Sequence, residues 1–243
     1  MVSDLKTESN LHLEIAEGWG QRLNASGLAS FEDLMRFDGG QCLSWHAGRS
    51  ETRSTVLPCG QMVFVKKALA TERTEMLRDM LAGRRPCSMI HKEHAAMQVV
   101  AGFGIGVAEV IAFGQRHFLN LPTQGVMVAL PVEGTPLNEL LADAQQPLIK
   151  DVLRKLAGAM VKVFQAGWCW PDLLPRHVFG QNGKGAGVAL IDLERLHRPR
   201  FNRQVKQAKS LRRFMSAMVK DGATDEHVRL AKEAFEAAGC RLA

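Results

Sequence analysis

A long amphipathic helix that ends at a glycine and hands the chain an acid constrains this sequence more than any other feature. Ile149, Val152, Leu153, Leu156, Met160, Val163 and Phe164 recur at three- and four-residue steps, the spacing of one helical face. Gly167 stops that helix. The residues that follow, Gly167-Trp-Cys-Trp-Pro-Asp-Leu-Leu-Pro-Arg-His-Val-Phe179, place Asp172 on a loop. Leu190-Ile-Asp-Leu-Glu194 then sets a second carboxylate, Asp192, directly after a short β-branched strand. Between them Gln181 to Gly187 is rich in turn residues and predicts a hairpin. One hairpin therefore brings two acids side by side, one suited to orient a hydroxyl and the other to hold a divalent cation.

Bulk properties narrow the classes. A chain of 243 residues that is 46% hydrophobic and 23% charged can bury a substantial core, as one two-lobed domain or two small ones, and is not a disordered polymer. A formal net charge of +6 and a pI near 9.2 point to an anionic partner: a nucleotide, a phosphorylated glycan, a lipid head group or a nucleic acid. No apolar run is long enough to span a bilayer, and Met1 to Asn10 lacks a basic-then-apolar signal pattern, so a soluble, intracellular protein is expected. The cysteines Cys42, Cys59, Cys87, Cys169 and Cys240 are odd in number, scattered and without a C-x-x-C pair, which argues against structural zinc and against a disulfide framework. Cys169 reads as a small buried hydrophobe rather than a nucleophile.

In chain order, Leu11 to Arg36 shows helical spacing broken by glycines, with Ser30 as an N-cap, and predicts a helical N-terminal appendage. From Gln41 the pattern alternates. Thr55-Val-Leu57 and Met62-Val-Phe-Val65 flank Pro58-Cys-Gly-Gln61 and predict a hairpin that ends at Lys66-Lys67. Alternation puts these two lysines on opposite faces, with Lys67 the solvated one. A basic linker, Arg73 to Arg85, leads into a helix on which Glu93 shares a stripe with Ile90 and Met97. Two readings stand: a surface glutamate paired with Lys92 or His94, or a core-facing one that needs a cation, for which Lys66 is the candidate. Gly102-Phe-Gly-Ile-Gly-Val107 follows a helix and precedes a strand, the reverse of a dinucleotide loop, so it predicts a turn. Val107 to Phe113 and Gly125 to Leu130 predict a second β pair, and Pro131-Val-Glu-Gly134 a junction.

The succession Val63-Phe-Val-Lys66, Glu93 on a helix, Trp170-Pro-Asp-Leu-Leu-Pro-Arg-His177 and Ile191-Asp-Leu-Glu-Arg195 resembles the lipopolysaccharide kinase family, which phosphorylates heptose or Kdo of the inner core. The resemblance runs from about Trp19 to Arg200. It implies an α+β, two-lobed protein-kinase-like fold: a small antiparallel-sheet N-lobe over residues 41–131 and a short, mainly helical C-lobe over 132–243, after the helical appendage at 1–40. It implies ATP and Mg²⁺ as cofactors, with Lys66 and Glu93 holding nucleotide phosphates and adenine meeting backbone near Ala129 to Val132. Asp172 would accept or orient the proton of the sugar hydroxyl, and Asp192 would bind metal. His177 falls where protein kinases place a metal-binding asparagine; it would bind metal, or hydrogen-bond Asp172 or a phosphate. Arg176 would lend charge to the transferring phosphoryl group.

The sequence also departs from protein kinases. Trp170-Pro171 replaces the His-Arg before the catalytic aspartate, and no glycine-rich loop precedes Val63. Arg49 to Thr55 occupies that place, so Arg53 or backbone amides would cover the phosphates. Arg195, Arg198, Arg200, Arg203, Lys206, Lys209, Arg212 and Arg213 follow Asp192 with no acid among them. That run is either a solvated helix face or a surface for phosphorylated core sugar or an anionic leaflet. The expected partner is the core oligosaccharide on lipid A, with an anionic inner-membrane surface as a second; few aromatics interleave with the basic residues, so no nucleic acid is expected. Residence would be cytoplasmic and peripheral on the inner membrane. Other classes remain open: another small-molecule kinase of this fold, disfavoured because cationic substrates need acids where this chain is basic, and an inactive nucleotide-binding pseudokinase.

Overall fold

Period-two patterning sets the first half of the chain. The computed structural model describes residues 10–71, 73–81, 83, 86–118, 121–143, 146–181 and 187–240. Leu11, Leu13 and Ile15 alternate with His12 and Glu14, and Asn10–Ile15 is a strand, β1, where helical spacing had been expected from residue 11. Helix begins only at Gly20–Asn24 (α1) and Phe31–Arg36 (α2). The Ser30 hydroxyl accepts from the Asp33 amide, and the Asp33 carboxylate accepts in return from the Ser30 amide, which closes a capping box. There follow Gln41–His46 (β2), Ser50–Val56 (β3), Met62–Ala68 (β4), Arg73–Leu81 (α3), Met89–Gly102 (α4), Gly106–Val107 (β5), Val110–Phe118 (β6) and Leu121–Ala129 (β7). Arg84 and Arg85 of the basic linker lie outside the described residues.

The chain divides into two units, one running to His94 and resuming over Glu109–Pro131, the other formed by Ala95–Ala108 and Val132 onward. The first is built on a six-stranded antiparallel sheet of order β1-β6-β7-β4-β3-β2. Val63, Val65, Ile111, Val126 and Val128 of the sheet pack on Leu23, Leu28, Phe31 and Leu34. The α1–α2 segment is thus part of this core and not an appendage to it.

That segment also reverses the fates of the two lysines. β4 does alternate, with Val63, Val65 and Lys67 on the face covered by α1 and α2. Lys67, expected in solvent, is therefore buried: its ammonium donates to the Phe37 carbonyl at 2.6 Å and pairs with Glu51 at 2.5 Å. Glu51 and Lys67 are direct partners across the β3–β4 ladder, which is why the strand pairing delivers the acid to this ammonium.

The second unit carries Thr135–Pro136 (β8), Leu137–Ala142 (α5), Gln146–Gln165 (α6), a 3-10 turn at Pro175–His177, Val178–Gly180 (β9), Val188–Leu190 (β10), Arg203–Lys220 (α7) and Asp225–Ala237 (α8). Ile149, Val152, Leu153, Leu156, Met160 and Val163 of α6 are all buried, each worth about 1.5–3 kcal/mol of removed apolar surface. Gly167, at φ +87°, then turns the chain out of the helix. The strands β9 and β10 pair antiparallel as the predicted hairpin, with residues 182–186 of its turn outside the described residues. β5 adds to β10 in parallel, and there Gly106 is required, since a Cβ would stand 2.9 Å from the Ala189 methyl and 3.0 Å from the Val188 carbonyl oxygen. The stretch rejected as a phosphate loop accordingly serves as a turn into a sheet. Phe214 of α7 meets Phe235 of α8 edge to face at 5.9 Å, which fastens the closing helix.

Candidate active site

In the first unit the alternation that buries Lys67 sends Lys66 to the other face of β4. Its ammonium lies 2.5 Å from Glu93 Oε1, and the Glu93 side chain is only 6% exposed. The core-facing reading of Glu93 is the one observed, while Lys92 pairs with Asp79 at 3.0 Å. Arg53, expected over the phosphates, is committed elsewhere. Its Nε donates to Glu51 Oε1 at 2.5 Å and its Nη1 to the carbonyls of Asp38 and Gly39. Burial alone would raise the Glu51 carboxyl, but hydrogen bonds and charge from Lys67 and Arg53 more than offset it and hold the group below the ordinary glutamate range.

In the second unit the loop after α6 and the end of β10 come together. His177, 7% exposed at its side chain, donates from Nδ1 to the backbone carbonyl of Asp172 at 2.8 Å, which fixes its tautomer. Its Nε2 faces Asp192 Oδ2 at 3.1 Å and the Arg176 Nε–H at 3.1 Å. With its proton on Nδ1 the ring has one lone pair, on Nε2; the Arg176 N–H occupies it here, and a cation beside Asp192 would take it in place of that N–H. A nitrogen and an oxygen converging in this way suit a cation. Among the described residues no group of three His, Cys, Asp or Glu side chains could hold a metal ion. A divalent ion on these two donors would take its other ligands from phosphate and water.

Trp170 holds this arrangement from below. Its fully buried indole donates to the Asp192 carbonyl at 3.3 Å and stacks on His177 with centroids 6.3 Å apart. Trp170 thus braces both donors, a role the sequence did not show. Asp192 itself sits at φ +59°, a left-handed conformation that costs a non-glycine residue about 1–2 kcal/mol and is tolerated where the surroundings enforce it. Cys169 is inert: burial pushes its thiol up to about 11 despite the nearby Lys206 and Arg203.

The Asp172 side chain is engaged by two residues that sequence reasoning placed only within a basic run. Arg213 Nη1, from α7, lies 2.7 Å from Asp172 Oδ1, and Arg195 Nη1 lies 3.1 Å from Oδ2. Nothing in the sequence distinguished Arg213 from Arg212 beside it. The structure therefore groups Asp172, His177, Arg176 and Asp192 in the second unit and Lys66 with Glu93 in the first, while Arg53 lies apart in the Glu51 network.

Comparison with solved structures finds WaaP in complex with acyl carrier protein at a TM-score of 0.66 and 16% identity, over 93% of this chain and 89% of that one. Rad53 residues 1–466 in complex with AMP-PNP align at a TM-score of 0.46 and 12% identity over 81% of this chain and 52% of that one, too weak a likeness to carry an argument. No curated protein sequence matches. The model of the lipopolysaccharide kinase (Kdo/WaaP) family matches residues 38–235. With the greater part of its length matched by that model and its fold shared with WaaP, this chain belongs to the lipopolysaccharide kinase (Kdo/WaaP) family and is a kinase of protein-kinase-like α+β fold.

Proposed function

We propose that this kinase transfers the γ-phosphate of ATP to a sugar hydroxyl, on heptose or Kdo, of the lipopolysaccharide inner core. The observation that carries this reading is the continuous set of contacts from Asp172 through His177 to Asp192 in a member of a lipopolysaccharide kinase family. Asp172 takes the proton of the attacking hydroxyl as the new O–P bond forms and the bond from γ-phosphorus to the bridging oxygen of ADP breaks. His177 holds the backbone of Asp172 in place for that transfer. Asp192 Oδ2 and His177 Nε2 would hold Mg²⁺, which when bound neutralises charge on the β- and γ-phosphates. Lys66, positioned by Glu93, would reach the α- and β-phosphates.

Arg176 stands at the Nε2 of His177, near enough to the metal pair to add charge to the transferring group. The exposed basic residues of α7 and of the segment before it suit a peripheral position on an anionic inner-membrane surface. Among the described residues no helix is long and apolar enough to cross a membrane.

Incubation of the purified protein with γ-labelled ATP, Mg²⁺ and dephosphorylated core oligosaccharide tests the proposal. Label should enter the oligosaccharide, and Asp192→Asn should raise the Mg²⁺ concentration needed for half-maximal transfer. A wild-type protein that labels nothing, or an Asp192→Asn variant with an unaltered metal requirement, would overturn it.

A further inference from the structure

We propose that Arg195 and Arg213 form a receptor for an anionic group that the acceptor carries beside the hydroxyl to be phosphorylated. The proposal rests on the phosphotransfer reading above and specifies what the same site recognises. Its starting point is a mismatch of charge. Asp172, with its side chain 14% exposed, is one carboxylate flanked by two guanidinium groups whose side chains are 58% and 51% exposed. The trio carries a surplus positive charge that faces solvent. Lys209 and Arg212 are further exposed basic residues on α7, and although Glu194 directly precedes Arg195, no acid occurs along the chain from Arg195 to Lys220.

Donor accounting points the same way. A guanidinium group offers five N–H donors in a planar fork. Arg213 uses Nη1 for Asp172 and for the Pro171 carbonyl at 3.0 Å; Arg195 uses Nη1 for the two oxygens of Asp172. Among the described residues the remaining donors of both forks have no partner. Planar donors in pairs match a carboxylate or a phosphate monoester, which accept two parallel hydrogen bonds. A neutral sugar hydroxyl supplies neither the charge nor the geometry.

The present contacts leave the base usable. Arg213 and Arg195 both address Oδ1 and Arg195 addresses Oδ2, three contacts on a carboxylate with about four acceptor sites. An acceptor anion seated on the spare donors therefore lies beside a carboxylate oxygen that can still accept the proton of the neighbouring hydroxyl. The anion could be a sugar-ring carboxylate or a phosphate already present on the core, and both offer the same chemistry to the two arginines.

Steady-state transfer with wild type, Arg195→Gln and Arg213→Gln on intact core oligosaccharide, on its carboxyl-reduced form and on its phosphatase-treated form decides the matter. Wild type should lose about tenfold in KM on the one form that lacks the recognised anion, which identifies the source. Each glutamine variant should raise KM for intact core by a similar factor, add nothing further on that form, and leave kcat and the KM for ATP within about twofold. Melting temperatures of the variants should match wild type. Equal losses in kcat on all three acceptors would overturn the proposal, because the arginines would then serve the transferring phosphoryl group. So would unchanged kinetics in both variants. Calorimetric titration with intact core separates the two levels: Arg213-dependent binding without phosphate transfer by wild type would sink the phosphotransfer reading and keep the receptor. Transfer indifferent to both anions would sink the receptor and keep the phosphotransfer reading.

Discussion

Each unit contains a carboxylate held between two cations of the fold, Glu51 in the first and Asp172 in the second, and these two trios differ in what surrounds the cations rather than the acid. Glu51, 11% exposed, lies between Lys67 at 4% and Arg53 at 18%. Asp172, 14% exposed, lies between Arg213 at 51% and Arg195 at 58%. In the first trio every charge is enclosed and further donors go to the carbonyls of Phe37, Asp38 and Gly39, so the network ties β3 and β4 to the chain between α2 and β2. In the second the acid is sheltered while its partners stand in water with donors to spare. A closed trio holds a fold together; an open one keeps donors for a ligand. The same pairing chemistry therefore has opposite uses, and burial of the cations tells them apart.

Substitution should break that comparison along predictable lines. The largest effect is on rate: Asp172→Asn should slow phosphate transfer by about 10²–10⁴-fold, as expected for loss of a general base, with nucleotide affinity measured by titration left near wild type. Next comes stability. Glu51→Ala leaves the Lys67 ammonium buried without its counter-charge and should cost about 3–5 kcal/mol in denaturant unfolding. Arg213→Gln, which removes an exposed partner, should cost no more than about 1 kcal/mol in the same experiment. Equal penalties for the two would abolish the distinction between closed and open.

The smallest effect is one of pH. Because the folded Glu51 carboxyl is held below its unfolded value, its contribution is fully present above the ordinary glutamate range. It fades as pH falls through the lower folded value. Wild-type stability should decline over that acid window, and Glu51→Gln should flatten this part of the profile. A variant with the same acid slope as wild type would assign the decline to other carboxylates.

Much of the architecture was legible because it rests on local pattern. The α6 stripe, the β3–β4 hairpin around Pro58 to Gln61 and the β9–β10 pairing all follow from spacing and turn residues. What was not legible depends on contacts remote in sequence. Alternation separated Lys66 from Lys67, but which face would be covered was decided by Leu23, Phe31 and Leu34, some thirty residues or more upstream. Asn10–Ile15 did carry a period-two signal in Leu11, Leu13 and Ile15; a run this short is overridden in a wider window by the helical spacing after it, and its partner β6 lies about a hundred residues on.

The site divides in the same way. Asp172, His177 and Asp192 were marked by order and spacing, and Glu93 by its place on an apolar stripe. Trp170 was visible only as a departure from the kinase pattern; its hydrogen bond to the Asp192 carbonyl and its stacking on His177 require the folded hairpin. Arg213 reaches Asp172 from 41 positions away and shares its composition with every neighbour, so no local signal could single it out. Arg53 was chosen for its position in the strand, and the structure gives that position to a buried network instead.

The most direct test of the account is the mass of the core oligosaccharide from cells that lack this protein and from the same cells carrying either the wild-type chain or Asp172→Asn. The account predicts a core lighter by one phosphate without the protein, restored by the wild-type chain and not by the variant. A core restored equally by Asp172→Asn, or unchanged when the protein is missing, would contradict it.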